Sequence, residues 1–480
     1  MIVDLRLDGP AARGTKESAE ATGAALRAVQ AGSLDPTSTR VVGDWIQYKH
    51  NFRAPVARRR VIGREGRALE LAFDLRRMDP AQLDAEIEEA LGDLDGQHFS
   101  YLEDWVPASK SIIWRFNALY WGELALWQEA SGREYAQALP GGESAATKAD
   151  GARAVILELF RIFDTLAERH ALPERLDVLE IGVGNGEQAK VWLDEFLRLD
   201  DEQGRGYYRR LQYLMGDYSS HVLELARATV VEHRSHVSSL VLDASRPRET
   251  LRFLEGGVFF VYISNVYDNL ASDELAVLAD ELYQVEVRAY LPEREVEEIA
   301  ASFGIERTFV QGFAGRLVAL GPRLLAETLA ATFSDVSRAT AFWQRVWEAL
   351  RLDERYRPLG PLDRYEICEG LNGELLGPIV AGQGDVRFHV SNGAVASFLD
   401  TLPLLHPYGL LSCHDLFVTD FAQFRNGFRG PGKYDGSVVN WVNGPILRAA
   451  ASRRGYQVTF QPFAHGSRSP ISTAVARARD

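Results

Sequence analysis

Only two cysteines, Cys368 and Cys413, occur in 480 residues. They form neither a disulfide framework nor a zinc-ligand spacing, so a reduced, cytoplasmic setting is expected and a metal site is not. Long apolar runs are also missing. Residues 1–9 carry Asp4, Arg6 and Asp8 without an apolar core of signal-peptide length, and no later stretch is long enough to span a bilayer. There is no excess of positive charge either. The 53 basic and 67 acidic residues give a net charge of -14, which opposes docking on nucleic acid or acidic lipid. Much of that excess is local, because residues 79–104 hold nine acids and no Lys or Arg. No internal repeat is present. What remains is an ordinary globular composition, 46% hydrophobic and long enough for two or three domains.

The chain is organised around Val178-Leu179-Glu180-Ile181-Gly182-Val183-Gly184-Asn185-Gly186, which runs directly into Glu187-Gln188-Ala189-Lys190-Val191-Trp192-Leu193. Its pattern predicts a buried parallel strand, a glycine turn and a helix. Helix-start amides are expected to line that turn. A dinucleotide fingerprint would need its third glycine where Glu187 stands, which argues against nicotinamide-dependent oxidoreduction. The arrangement Glu-x-Gly-x-Gly-x-Gly resembles motif I of class I S-adenosylmethionine (SAM) dependent methyltransferases.

The following residues extend that pattern. A helix is expected over 152–168, ahead of the motif strand, and another from the glycine turn to about Leu199. Leu211 to Met215 read as a second strand ending in Gly216-Asp217-Tyr218-Ser219. A carboxylate at that strand end is placed to accept both ribose hydroxyl hydrogens of an adenosyl ligand, which singles out Asp217. A third strand ends at Asp243-Ala244, where the methyltransferase resemblance implies adenine contact. Val258-Phe259-Phe260-Val261-Tyr262-Ile263 is a fourth, nearly continuous apolar strand ending in Ser264-Asn265-Val266-Tyr267-Asp268-Asn269. A fifth, Leu410-Leu411-Ser412-Cys413-His414-Asp415, comes much later, and a helix over 444–452 and an extended 457–463 follow it.

The expected fold is therefore α/β, a doubly wound Rossmann-like methyltransferase sheet. A mostly helical N-terminal extension occupies 1–150, the SAM-binding core 151–270 and 391–480, and an insertion between strands 4 and 5 residues 271–390. Within the insertion, Leu275, Leu278 and Leu282 predict a helix and 285–291 a strand, with further helices near 293–302, 324–333 and 341–352. The insertion is expected to cover the acceptor, and the turn-rich 430–436 to lie over the same crevice. The gap from Gly186 to Asp217, the large insertion and Pro431-Gly432-x-x-Asp435 resemble the MidA branch, which includes mitochondrial arginine methyltransferases. That branch's Asn-Glu before two apolar residues is Ser264-Asn265 here, and its Asp-Tyr-Gly after the fifth strand is Asp415-Leu416-Phe417.

Two segments have a plainer reading. Six arginines between positions 53 and 67 read as a solvated strand or loop edge, or else as a site for an acidic group. The aromatic run Trp105, Trp114, Tyr120, Trp121, Trp127 and Tyr135 reads as packing of an N-terminal domain onto the catalytic one, or else as the wall of a substrate pocket, and Gly141-Gly142 as a joint.

The resemblance implies methyl transfer to a nitrogen or oxygen of a protein side chain or specialised metabolite. Glu180, Gly182, Gly184, Gly186, Asp217, Tyr218, Asp243, Ala244 and Ser264 would hold SAM. Asn265, Tyr267 and Asp415 would face the acceptor, where an amide, a phenol and a carboxylate can orient a nucleophile or take its proton. The alternative is a non-catalytic SAM-binding assembly factor.

Overall fold

A computed structural model describes residues 2–6, 14–44, 46, 48–63, 69–92, 99–132, 145–426, 430–463 and 470–479. The chain divides into two units. One comprises Met1–Ser131, Ala271–Asn392 and Asp420–Asn443; the other comprises Gly132–Leu270, Gly393–Thr419 and Gly444–Asp480. The N-terminal extension and the insertion, expected as separate regions, thus belong with 420–443 to one unit. Tyr135 and Gly141-Gly142 lie outside the described residues.

The second unit contains one sheet. Its strands are β1 (Leu176–Ile181), β2 (Leu211–Asp217), β3 (Val237–Val241), β4 (Val258–Ser264), β5 (Leu405–Asp415), β6 (Tyr456–Pro462) and β7 (Ser472–Ala478). They lie in the order β3-β2-β1-β4-β5-β7-β6. The first five are parallel, and β7 runs antiparallel to both β5 and β6. All six residues of β1 are buried, as expected of a central strand covered on both faces. Helices α1 (Ala145–Glu168) and α2 (Glu187–Gln203) pack one face with Ile156, Phe160, Phe163, Trp192 and Phe196 against Val178, Tyr213 and Phe260. A third helix, α3 (Ser220–Thr229), starts after β2, its N-cap Ser219 accepting from the amide of Val222. From β1 the chain winds outward to β3 and returns on the other side at β4. The reversal opens a crevice at the carboxyl ends of β1 and β4, the usual ligand position of such sheets.

The first unit corrects the expectation of a mostly helical extension. The main path of its large sheet runs Ile2–Arg6, Thr39–Asp44, Leu69–Asp74, Val56–Val61, Arg351–Pro358, Glu281–Pro292, Glu274–Leu278 and Val386–His389, and Phe99–Tyr101 and Val106–Pro107 also pair with Glu281–Pro292. The helix expected at Leu275, Leu278 and Leu282 is instead a hairpin. Leu278 pairs with Glu281 across Ala279 and Asp280, both with positive φ, 48° and 64°. That two-residue turn matches the twist of paired strands. Helices Glu293–Phe303, Val310–Thr328 and Val336–Ala349 follow.

The arginine run is not merely a solvated edge. Arg53 and Arg59 are buried, and with Arg387 they meet four buried carboxylates, Asp44, Glu70, Glu274 and Glu354. Glu354 accepts from all three guanidinium groups, at 3.1 Å from Arg53, 2.6 Å from Arg59 and 2.8 Å from Arg387. Burial opposes the charge of Glu354, but Arg387 and Arg59 hold its carboxyl below the ordinary range, whereas burial pushes Glu274 up. Residues 64–68 lie outside the described set. The aromatic segment packs within this unit, Trp127 edge-on to Trp343 at 4.8 Å and to Tyr120 at 5.4 Å. In the 430–436 segment, Lys433 is buried, and its Nζ donates to the carbonyls of Trp347 (2.6 Å), Glu348 (3.0 Å) and Leu350 (2.7 Å). It caps the carboxyl end of Val336–Ala349, where carbonyls lack helical partners.

Candidate functional site

The glycine turn joins β1 to α2. Gly182, Gly184 and Gly186 have φ of 77°, 57° and 81°, in the left-handed region that side chains rarely occupy. Gly186 also permits close packing, since a β-carbon there would lie 2.8 Å from the α-carbon of Ala226 in α3. The turn is tied to the end of β2. Gly182 and Val183 donate their amides to the Gly216 carbonyl at 2.8 and 3.2 Å. Gly186 donates to the Val183 carbonyl at 3.2 Å, and Asn185 Oδ1 accepts from Glu187 N at 3.2 Å. The expectation that the turn's amides line a ligand is therefore corrected. Most are used internally, and the glycines contribute shape and closeness of approach.

Asp217 ends β2 beside that turn. Its Oδ2 accepts from the amide of Gly184 at 3.3 Å and its Oδ1 from that of Ser219 at 3.0 Å. A carboxylate has about four acceptor positions, so capacity remains for a hydroxyl donor. Burial pushes its pKa up to about 6, against the pull of the amides of Ser219, Gly184 and Tyr218. Glu180 is buried within β1 and accepts from the Tyr213 hydroxyl at 2.6 Å. Tyr213 was not among the sequence candidates. Its signal is period-two geometry, since Val178 pairs with Tyr213 and Glu180 with Met215, which puts all four side chains on one face.

Tyr218 follows Asp217 and is 44% exposed. Asp243 is exposed after β3, its Oδ1 accepting from Ser245 N at 2.8 Å and Oγ at 2.7 Å, and Ala244 is half-buried beside it. Ser264 ends β4 and is half-buried. Asn265 follows with φ 51° and donates its amide to the His414 carbonyl at 2.9 Å. Asparagine is among the side chains that tolerate this conformation.

The structure gives the other two acceptor-side candidates a different place. Tyr267 is buried at 2% exposure, and burial pushes its phenol well above the ordinary range. Asp415 is fully buried and accepts from the amides of Val266, Tyr267, Asp268 and Leu416. Both are corrected from acceptor-facing groups to groups inside the fold, because a strand-end position fixes a residue's height in the sheet but not the direction of its side chain. Among the described residues, Asp194, Glu232 and His233 lie close enough together to hold a metal ion. Lys190 already bonds Glu232 there and stands 3.5 Å from Asp194, so its ammonium supplies the positive charge.

No family model and no curated protein matches the sequence. Among solved structures, the chain is similar to a Burkholderia thailandensis protein bound to S-adenosyl-homocysteine, at 14% identity over 83% of this chain and 91% of that one, with a TM-score of 0.46. A second structure from the same organism gives 13% identity over 83% and 90%, with the same TM-score of 0.46. The CcbJ methyltransferase from Streptomyces caelestis gives 10% over 76% and 99%, with a TM-score of 0.31. Methyltransferases thus stand among the structural neighbours, and the order β3-β2-β1-β4-β5-β7-β6, with β7 alone reversed, makes the second unit's sheet a doubly wound α/β one.

Proposed function

We propose that the second unit binds SAM and transfers its methyl group to a nitrogen or oxygen of a protein side chain or specialised metabolite. The carrying observation is the pairing of Asp217 with Gly184 at 3.3 Å, which sets a carboxylate with spare acceptor capacity against a glycine turn at the crevice. Those residues fit the cofactor. Asp217 would take the ribose hydroxyls, and the turn from Gly182 to Gly186 would admit the methionyl part close to the backbone.

When bound, SAM supplies an activated methyl electrophile, so the protein has to hold the nucleophile in line and exclude water. No general base is required. This agrees with the burial of Tyr267 and Asp415 and leaves Asn265, half-buried at the end of β4, as the polar residue of that strand end best placed to orient an acceptor. Neither Cys368 nor Cys413 is in a disulfide, which supports a reducing cytoplasm as the setting. No helix among the described residues is long and apolar enough to cross a membrane.

Titration calorimetry with S-adenosylhomocysteine (SAH) tests the cofactor, and Gly184→Val should abolish binding in a protein that still folds. A folded wild-type protein that ignores both SAM and SAH would refute the reading. Cell extract incubated with the protein and methyl-labelled SAM, read by mass spectrometry, then identifies the acceptor.

A further inference from the structure

The buried carboxylate of Asp415 has no part in that chemistry. Its Oδ2 accepts from three consecutive amides, those of Val266 at 3.2 Å, Tyr267 at 2.8 Å and Asp268 at 3.4 Å, while Oδ1 accepts from Leu416 at 2.7 Å. Successive amides turned on one oxygen form a nest that suits an anion. The three belong to the turn that leaves β4 and continues into the short helix Tyr267–Asn269. Asp268, buried in the same turn, is pushed well above the ordinary carboxyl range by burial and then by the neighbouring charge of Asp415, and its Oδ1 accepts from Asn269 Nδ2 at 2.6 Å.

The same turn carries Val266. A β-carbon on Gly182 would come within 2.4 Å of Val266 Cγ2, so that methyl group occupies the space a side chain would take. Gly182 in turn bonds the Gly216 carbonyl at 2.8 Å, one residue before Asp217. A continuous set of contacts therefore leads from the end of β5, through the β4 turn, to the glycine turn and the carboxylate of β2.

We propose that Asp415 is a positioning residue for the cofactor crevice: by gathering the amides of Val266, Tyr267 and Asp268 it holds Val266 against Gly182 and fixes the glycine turn beside Asp217. The role in cofactor binding rests on the SAM reading above, whereas the clamp itself can be measured without ligand.

The test compares wild type, Asp415→Asn, Val266→Ala and the double variant by hydrogen exchange and by SAH calorimetry. Asparagine keeps the shape but offers one acceptor oxygen, so in Asp415→Asn exchange should quicken about tenfold or more in peptides over 264–270 and 181–188 and stay unchanged over 153–166. A general loss of stability would quicken all three. Val266→Ala retains the nest and should quicken only 181–188, and it keeps the test decisive if Asp415→Asn does not fold. SAH affinity should fall about tenfold in Asp415→Asn and no further in the double variant. Unchanged exchange over 181–188 in Val266→Ala, or additive losses of affinity, would overturn the proposal. Failure of wild type to bind SAH would remove the cofactor reading while the exchange pattern still decides the clamp.

Discussion

Ligand binding at Asp217 should release a proton. In the free protein, burial holds this carboxyl at about 6, well above its ordinary 3.8. A group raised in this way contributes stability that is complete below pH 3.8 and lost as pH rises through about 6, so the ligand-free fold favours the protonated form. Ribose hydroxyls donating to the carboxylate favour the opposite form and pull the pKa down. SAH affinity should therefore be level above about pH 7 and fall by up to about tenfold per unit below pH 6. If the bound group returns to its ordinary value, the linkage amounts to about 3 kcal/mol. Calorimetry at pH 5.5 in two buffers of different ionisation enthalpy counts the proton directly, and about 0.7 of a proton per site should appear. Asp217→Asn should remove the pH slope and cost about 2–4 kcal/mol of affinity at pH 7.5 through the loss of charge-assisted acceptors. Affinity that is flat between pH 5 and 7.5, with no proton released, would refute the placement of ribose on Asp217.

Two further outcomes concern the first unit. Arg59→Met leaves Glu70 and Glu354 buried with fewer cations, and denaturant unfolding should show a loss of about 3–5 kcal/mol. A change below about 1 kcal/mol would mean that the carboxylates protonate at little cost. Burial pushes the Lys433 pKa well down, yet its three carbonyl contacts require three N–H donors, which only the ammonium form has. Lys433→Met should therefore cost about 2–4 kcal/mol in the same assay, and a neutral substitution would show the carbonyls to be satisfied otherwise.

The central strands were legible because β1 and β4 are buried on both faces and read as near-continuous apolar runs, each ending in polar turn residues. The first unit's strands were not, and the cause is visible in Val56–Val61. Arg59 lies at 1% exposure in a strand whose sequence looks like a charged edge, because its four carboxylate and phenol partners come from elsewhere in the chain. Likewise Leu275, Leu278 and Leu282 have helical spacing, and the turn at Ala279-Asp280 carries no glycine to announce a hairpin. That Asp217 ends β2 could be read from the sequence. The burial of Asp415 could not, since it depends on how β5 registers against β4, and Val266 gains its importance only from the missing side chain of Gly182.

The place of β7 bears on how the second unit is made. β5 pairs with β4, whose residues were synthesised well over a hundred positions earlier, and with β7, which follows it in the chain. Asp415 stands opposite Ser472 in that pairing. On the ribosome, β1 to β4 emerge as an incomplete sheet with β4 as a bare, strongly apolar edge, and most of the other unit must be translated before its partner arrives. Such delayed, non-local pairing is slow and exposes an edge to wrong partners. The sheet is thus completed late, and removing Ser472–Ala478 would strip the strand that backs β5.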